Sequence, residues 1–326
     1  MGGFYAHPHG GRVLKTPGDA LKSGGETRLL VGLTALYPLL FRFLSRLPLP
    51  LLHGLGWLLG WLSFALSGRY RRTLFSHAAQ AGFPRSVALA SVAEAGKMVT
   101  ELPRLWLGAP VHLEWEGREL IEQAIAEGNG VLFLTPHLGC FEVTAQLFAQ
   151  HFGDRMPVTV LYRPARQPWL REIMEQARSR PGLLTAPTTL AGVKQLIKAL
   201  KQHQGVGLLP DQVPPEGQGV WAPFFGRDAY TMTLSARLAL TAGARVLLIW
   251  GERLSWGRGY RVRLRPFRPE AGGQLSADPQ DAAHQINLAM ESLVRECPAQ
   301  YLWSYDRYKS PSGVSHSARL EAERST

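Results

Sequence analysis

Cysteine is almost absent. Cys140 and Cys297 are the only two in 326 residues. They could close at most one disulfide, which excludes a disulfide scaffold and favours a reducing compartment. No cysteine and histidine cluster has zinc-ligand spacing, and neither a Walker A loop nor a GxGxxG run occurs. The ten histidines are scattered, so no metal and no cofactor is expected. Internal repeats are lacking too. Acidic side chains are scarce: 25 Asp and Glu stand against 36 Lys and Arg, a net charge of +11. That balance suits an anionic partner such as nucleic acid, an acidic membrane surface or an acidic carrier protein. The aromatic and basic strand signature of an RNA-binding module is missing, so nucleic acid is not expected.

What the chain does contain is apolar material, 45% of its residues, enough for a sizeable core. Residues 1–28 are rich in glycine and charge and read as a flexible extension, without the compact charged start and apolar core of a secretory signal. Residues 29–72 read as a membrane-anchoring helical segment. An apolar run from Leu29 to Phe41 is closed by Arg42 and Arg46. From Leu47 to Gly68 the only ionisable side chain is His53, and the run ends at Arg69-Tyr70-Arg71-Arg72. A bilayer core takes about 20 apolar residues as a helix. Spanning the membrane and lying in its interface both fit, as does a buried soluble hairpin. Residues 73–310 read as the catalytic domain and 311–326 as a flexible tail.

Within 73–310 the apolar pattern alternates between periods of about two and 3.6. Strands are predicted at 131–135, 157–162, 206–210, 244–250 and 260–266. Helices are predicted at 141–151, 168–179, 189–203, 233–242 and 280–296. This order implies an α/β fold with a largely parallel central sheet flanked by helices.

The most informative stretch is Val131-Leu132-Phe133-Leu134-Thr135-Pro136-His137, followed by Leu138-Gly139-Cys140-Phe141-Glu142. A buried strand stops at a proline and a histidine follows, which in an open α/β sheet puts the base at a ligand crevice. On one continuous helix, positions five apart diverge by about 140°, so His137 belongs to the turn and Glu142 to the early helix. A carboxylate held against an imidazole fixes its tautomer and raises its basicity, as deprotonation of an alcohol requires. Neither serine nor cysteine has a convincing nucleophile context.

Other residues extend the site. Arg163 follows one strand, and Arg178 and Arg180 end the next helix, where they could hold a phosphate or pantetheine group or simply cap a helix. Asp211 ends the strand at 206–210, on the same sheet edge as His137, and one of those arginines is its expected partner. Trp221 to Phe225 form a dense aromatic run that suggests either the wall of an apolar tunnel or ordinary loop packing. Arg261, Arg263 and Arg265 alternate with Val262 and Leu264 and so share one sheet face. With Arg253, Arg258 and Arg268 around them, they read as a solvated edge strand or as a docking patch for an acidic partner.

Taken in order, these pieces resemble the lipid A late acyltransferases, the lauroyl and myristoyl transferases within the glycerolipid acyltransferase superfamily. The likeness runs from about residue 30 to 310. It rests on the apolar N-terminal segment, His137-x4-Glu142, Tyr162-Arg163-Pro164, Arg178-Ser179-Arg180, Pro210-Asp211 and Pro223-Phe224-Phe225-Gly226. Leu238-Ala239, Gly243-Ala244, Gln300-Tyr301-Leu302-Trp303 and Asp306-Arg307-Tyr308-Lys309 complete it. In that family the residues matching His137, Glu142, Arg178 and Asp211 are functional. The family often has another acid or histidine after the aspartate, where this chain reads Gln212-Val213-Pro214-Pro215.

The resemblance implies a membrane-bound acyltransferase that moves a fatty acyl group from acyl carrier protein to a hydroxyl of a lipid A precursor. It implies a bacterial inner-membrane enzyme whose catalytic domain faces the cytoplasm. His137 would be the base, Glu142 would orient it, and Arg163, Arg178 and Asp211 would shape the substrate pocket. Rival readings are acylation of another lipid (a lysophospholipid, aminolipid or glycolipid), a membrane-associated ester hydrolase, and a non-catalytic basic binder.

Overall fold

A computed structural model describes residues 36–312 apart from 163, 164, 166, 179 and 270–272. The extension at 1–28, nearly all of the tail and Arg163 lie outside the described residues. The chain opens with helix α1 (36–46), α2 (Leu49–Leu66), α3 (Gly68–Gln80), α4 (Arg85–Thr100) and α5 (Leu102–Leu107). Strand β1 (Leu113–Glu116) and α6 (Glu119–Ala126) lead to β2 (Val131–Leu134), α7 (Phe141–Phe152), β3 (Val158–Tyr162) and α8 (Pro168–Arg178). Then follow β4 (Leu183–Pro187), α9 (Leu190–Lys201), β5 (Gly205–Leu208), and the strands β6 (Gly219–Phe224) and β7 (Arg227–Met232). Helix α10 (Leu234–Ala242), β8 (Arg245–Arg253), β9 (Tyr260–Pro266) and α11 (Pro279–Glu296) complete the order.

Seven strands form one sheet in the order β1-β9-β8-β2-β5-β3-β4. All neighbours are parallel except β8 and β9. Parallel strands need covering on both faces, and the core divides accordingly. Leu132, Leu134, Val206, Leu208, Leu248 and Trp250 pack into the layer of α3, α4, α9, α10 and α11. Val131, Phe133, Val158, Leu247 and Ile249 point the other way, toward α5, α6, α7 and α8. β2 is buried throughout, so its side chains serve both layers.

The aromatic run at 221–225 is neither loop nor tunnel wall. β6 and β7 pair as an antiparallel hairpin, and Phe224 and Phe225 stack with Tyr301 and Trp303 in the core. β9 is not an edge strand either, because β1 and β8 flank it.

Helix α2 is packed along α4. It buries Leu49, Leu52, His53, Gly56 and Gly60, and Gly56 and Gly60 lie one turn apart on the face that meets Gly96. A Cβ on Gly96 would collide with the Gly56 carbonyl, so the two backbones touch. The opposite face is bare: Leu51, Trp57, Leu58, Leu62 and Leu66 are exposed, Leu66 by 77%. In α1, Leu36, Leu39, Leu40 and Phe43 are exposed as well. By length and composition α2 could cross a membrane, with a mean hydropathy of 1.5, and 28% of it is buried in the protein.

Candidate active site

β2 and β5 are adjacent and parallel, so both end at the same sheet edge. The loops that leave them carry His137 and Asp211. The Asp211 carboxylate accepts from the His137 backbone N–H at 2.8 Å and faces Nδ1 at 2.7 Å. Its side chain is only 2% exposed. Burial alone would raise the Asp211 carboxyl, but the attraction of His137, the two hydrogen bonds and the charge of Arg307 outweigh it and hold the group below its usual range. A charged carboxylate at Nδ1 fixes the proton there and leaves Nε2 with the lone pair. The Gln212 side-chain amide nitrogen lies 3.0 Å from Nε2.

One expectation is thereby corrected. The carboxylate held against the imidazole is Asp211, reached across the sheet, and Asp211 and Gln212 stand at the two ring nitrogens of His137. Among the described residues Asp211 is partnered by this histidine on both its oxygens. Glu142 does sit in the first turn of α7 and on the wall of the same cavity, where it accepts from the Trp106 indole N–H at 3.2 Å. Arg163 and the side chain of Arg178 lie outside the described residues. Arg180 serves the fold: its guanidinium donates to the carbonyls of Leu105 and Trp106 at 3.1 and 3.0 Å.

The turn between His137 and α7 is pinned on both sides. Leu302 N–H donates to the His137 carbonyl at 3.1 Å, Gly139 N–H to the Gln300 carbonyl at 3.0 Å, and Cys140 N–H to the Gly251 carbonyl at 2.8 Å. Gly139 has φ +58°, and a Cβ there would strike the Gly251 carbonyl, so this turn requires glycine. Behind it lies a buried ion pair absent from the sequence reading. Arg253 grips Glu101 through Nε and Nη2, both at 2.7 Å, and Glu94 through Nη1 at 2.9 Å. Its Nη2 also donates to the Gly139 carbonyl at 2.8 Å. His53 of α2 and the Tyr260 hydroxyl complete the shell of Glu101 at 3.2 and 3.0 Å. Burial pushes the Glu101 carboxyl up, but Arg253 and His53 together hold it at about 2. Arg253 is therefore an interior residue and no part of a surface patch.

The patch itself is compensated. Arg261 meets Glu114 at 2.8 Å; Arg263 meets Glu116 and Glu252 at 2.6 and 2.8 Å; Arg265 meets Glu116 and Glu296 at 2.7 and 2.9 Å. Three arginines face four glutamates, so the uncompensated field expected of a docking patch is not there.

A cavity of about 380 Å³ is lined by His137, Glu142 and Gln212 and lies between the sheet and α7. Phe133, Phe148, Val158, Val160, Leu183 and Ile249 line it. Its volume lies in the range of about 300–1,000 Å³ usual for small-molecule pockets. A glycine of the central strand β5 makes room. Gly207 lines the cavity and pairs with Phe133 on one side and Val160 on the other. Interior strand glycine weakens a sheet and often marks the close approach of a ligand. No serine or cysteine is among the described lining residues. Cys140 is buried, and burial together with Glu101 pushes its thiol well above the ordinary range, which removes it as a nucleophile.

Comparison with known proteins agrees with this architecture. Residues 29–310 match the family described as bacterial lipid A biosynthesis acyltransferase. The chain is 28% identical over 285 residues to the lipid A biosynthesis lauroyltransferase of Escherichia coli K12, covering 82% of this chain and 89% of that protein. It is 28% identical over 193 residues to a lipid A biosynthesis acyltransferase of Haemophilus influenzae, covering 58% of this chain and 57% of that one. It is 27% identical over 192 residues to the lipid A biosynthesis myristoyltransferase of E. coli K12, covering 59% and 57%. With a match over most of its length, the chain belongs to the bacterial lipid A biosynthesis acyltransferases.

Proposed function

We propose that this acyltransferase moves a fatty acyl group from the thioester of acyl carrier protein to a hydroxyl of a lipid A precursor, with His137 as the base. One observation carries the reading: an imidazole held by a buried aspartate lines an apolar cavity that offers no serine or cysteine among its described lining residues. The acyl chain lies along Phe133, Val160 and Ile249, with its carbonyl at His137. Nε2 takes the proton of the acceptor hydroxyl as that oxygen bonds to the carbonyl carbon. The tetrahedral oxyanion then collapses, the C–S bond breaks, and the thiolate leaves with the proton held by the imidazolium. Asp211 stabilises the imidazolium directly, and Glu142 contributes its charge from the cavity wall. The thioester is already activated, so no acyl-enzyme is needed.

The enzyme sits on the bacterial inner membrane with the catalytic domain in the cytoplasm, where the carrier protein is. Interfacial seating fits α2 better than spanning. One flank of the helix is buried along α4 and includes His53, bonded to Glu101, while the other presents leucine and tryptophan outward. Net positive charge favours both the acidic carrier and a phosphorylated acceptor. The test is purified enzyme with a panel of acyl carrier proteins and a tetra-acyl, Kdo-bearing lipid A precursor, products being weighed by mass spectrometry. A product heavier by one acyl group is expected. Release of free fatty acid alone would mean a hydrolase, and transfer only to lysophospholipid, aminolipid or other glycolipid would mean a different acceptor.

A further inference from the structure

The two nitrogens of His137 have different partners. Nδ1 faces the buried carboxylate of Asp211 at 2.7 Å, so the ring proton resides there. Nε2 then carries only a lone pair, and a neighbour at 3.0 Å must donate to it. Gln212 satisfies that condition with its amide nitrogen toward the ring, and the opposite amide orientation would set oxygen against the lone pair. The proton of an acceptor hydroxyl has to arrive along this same direction.

We infer that Gln212 is a displaceable cover on the catalytic base, which occupies Nε2 until the acceptor hydroxyl takes its place and so keeps water from being activated there. The inference rests on His137 being the base. Several observations support it. Gln212 and His137 line the same cavity, the one proposed to take the thioester. Its main chain is fixed, because Asp211 before it is buried and the Val213 N–H after it donates to the Tyr305 hydroxyl at 2.9 Å. The flexible side chain can therefore turn aside while Asp211 stays on Nδ1. The cover is also neutral. Displacing it exchanges one neutral hydrogen bond to Nε2 for another, whereas an acid at this position would place carboxylates on both nitrogens and hold the ring as imidazolium. A glutamine covers the nitrogen and leaves it a base.

The reaction being suppressed is balanced. Water oxygen bonds to the thioester carbonyl carbon while Nε2 takes one of its protons. The C–S bond breaks, the carrier thiolate takes that proton from the imidazolium, and free fatty acid departs.

The experiment measures free acid released from acyl carrier protein without acceptor, and the ratio of free acid to transferred product with acceptor. Wild type, Gln212→Ala, Gln212→Glu, His137→Ala and the Gln212→Ala/His137→Ala double variant are compared, each checked for folding by circular dichroism. Gln212→Ala should raise both quantities about 5-fold or more, the weight of one lost neutral hydrogen bond, and the increase should vanish in the double variant. Gln212→Glu, of the same size, should lower transfer about 10-fold or more by holding the ring protonated. A folded Gln212→Ala enzyme with an unchanged ratio overturns the cover. So does an increase that survives loss of His137, because water would then be entering without the base. Full transfer by His137→Ala would instead overturn the base assignment itself.

Discussion

Replacing Gly207 by valine should shorten the acyl chain that the enzyme prefers. Gly207 faces the cavity between Phe133 and Val160, where a Cβ would stand 3.2 Å from Val160 Cγ1. Valine adds three carbons to a wall that now has none. Each acyl methylene kept from apolar contact forfeits about 0.8 kcal/mol, so three displaced methylenes cost about 2.4 kcal/mol, or about 50-fold in kcat/KM. Only chains that reach past Gly207 pay that penalty, so the effect falls on the longest donors. The sheet itself should tolerate the change. Valine suits a strand better than glycine, and Val160 needs to move by only a few tenths of an ångström. The assay is competition among acyl carrier proteins loaded from decanoyl to palmitoyl, on one lipid acceptor, with product masses giving relative kcat/KM. Preference should move toward shorter donors while the shortest keep near wild-type efficiency. A uniform loss across all lengths, or a shift toward longer chains, would refute the placement of the acyl group along β5.

Other predictions concern the site and its supports. His137→Ala should lower turnover about 10²-fold or more, and Asp211→Asn should add little to it in a double-mutant cycle, because the two act as a unit; additive losses would separate them. Glu101 is held at about 2 from an ordinary 4.5, so its contribution is complete above pH 4.5 and is lost as pH falls toward 2, a change of about 3 kcal/mol. Urea titrations of wild type and Glu101→Gln should therefore differ most near neutrality and converge below pH 3; parallel curves would contradict the sign. Trp57→Glu with Leu58→Glu should weaken pelleting with anionic vesicles several-fold while leaving the fold intact, since both side chains are exposed. Unchanged pelleting would move the membrane contact elsewhere.

Much of the fold was legible because parallel strands and amphipathic helices leave strong periods. The stop after Leu134, the turn at His137 and the start of α7 at Phe141 all fall where pattern and proline put them. β1 and β4 escaped because neither is a continuous apolar run like β2: β1 reads Leu113-Glu114-Trp115-Glu116, and β4 ends in Thr185-Ala186-Pro187. The β6–β7 hairpin was hidden by prolines and glycines that read as loop. Inside the site, the failure was one of adjacency. Which carboxylate reaches an imidazole depends on strand order, and nothing local says that β5 lies beside β2. The spacing therefore pointed to Glu142, five residues away, when the ring nitrogen turns to Asp211, 74 residues away. Arg253 was assigned to a surface because arginine usually goes there. Its place at the end of a strand buried over Leu247–Gly251 was the available hint that it points inward.

The seam between α2 and α4 bears on how such an enzyme can be re-engineered. Membrane anchors are commonly treated as interchangeable modules, to be cut off for crystallisation or traded between relatives. Here α2 meets its neighbour backbone to backbone at Gly56, Gly60 and Gly96 and contributes His53 to the charge cluster that steadies the turn after His137. A transplanted anchor would need small residues at the same three contacts and a hydrogen-bonding group facing Glu101. Without them, a chimera with an equally apolar outer face would still leave the turn at His137 unsupported.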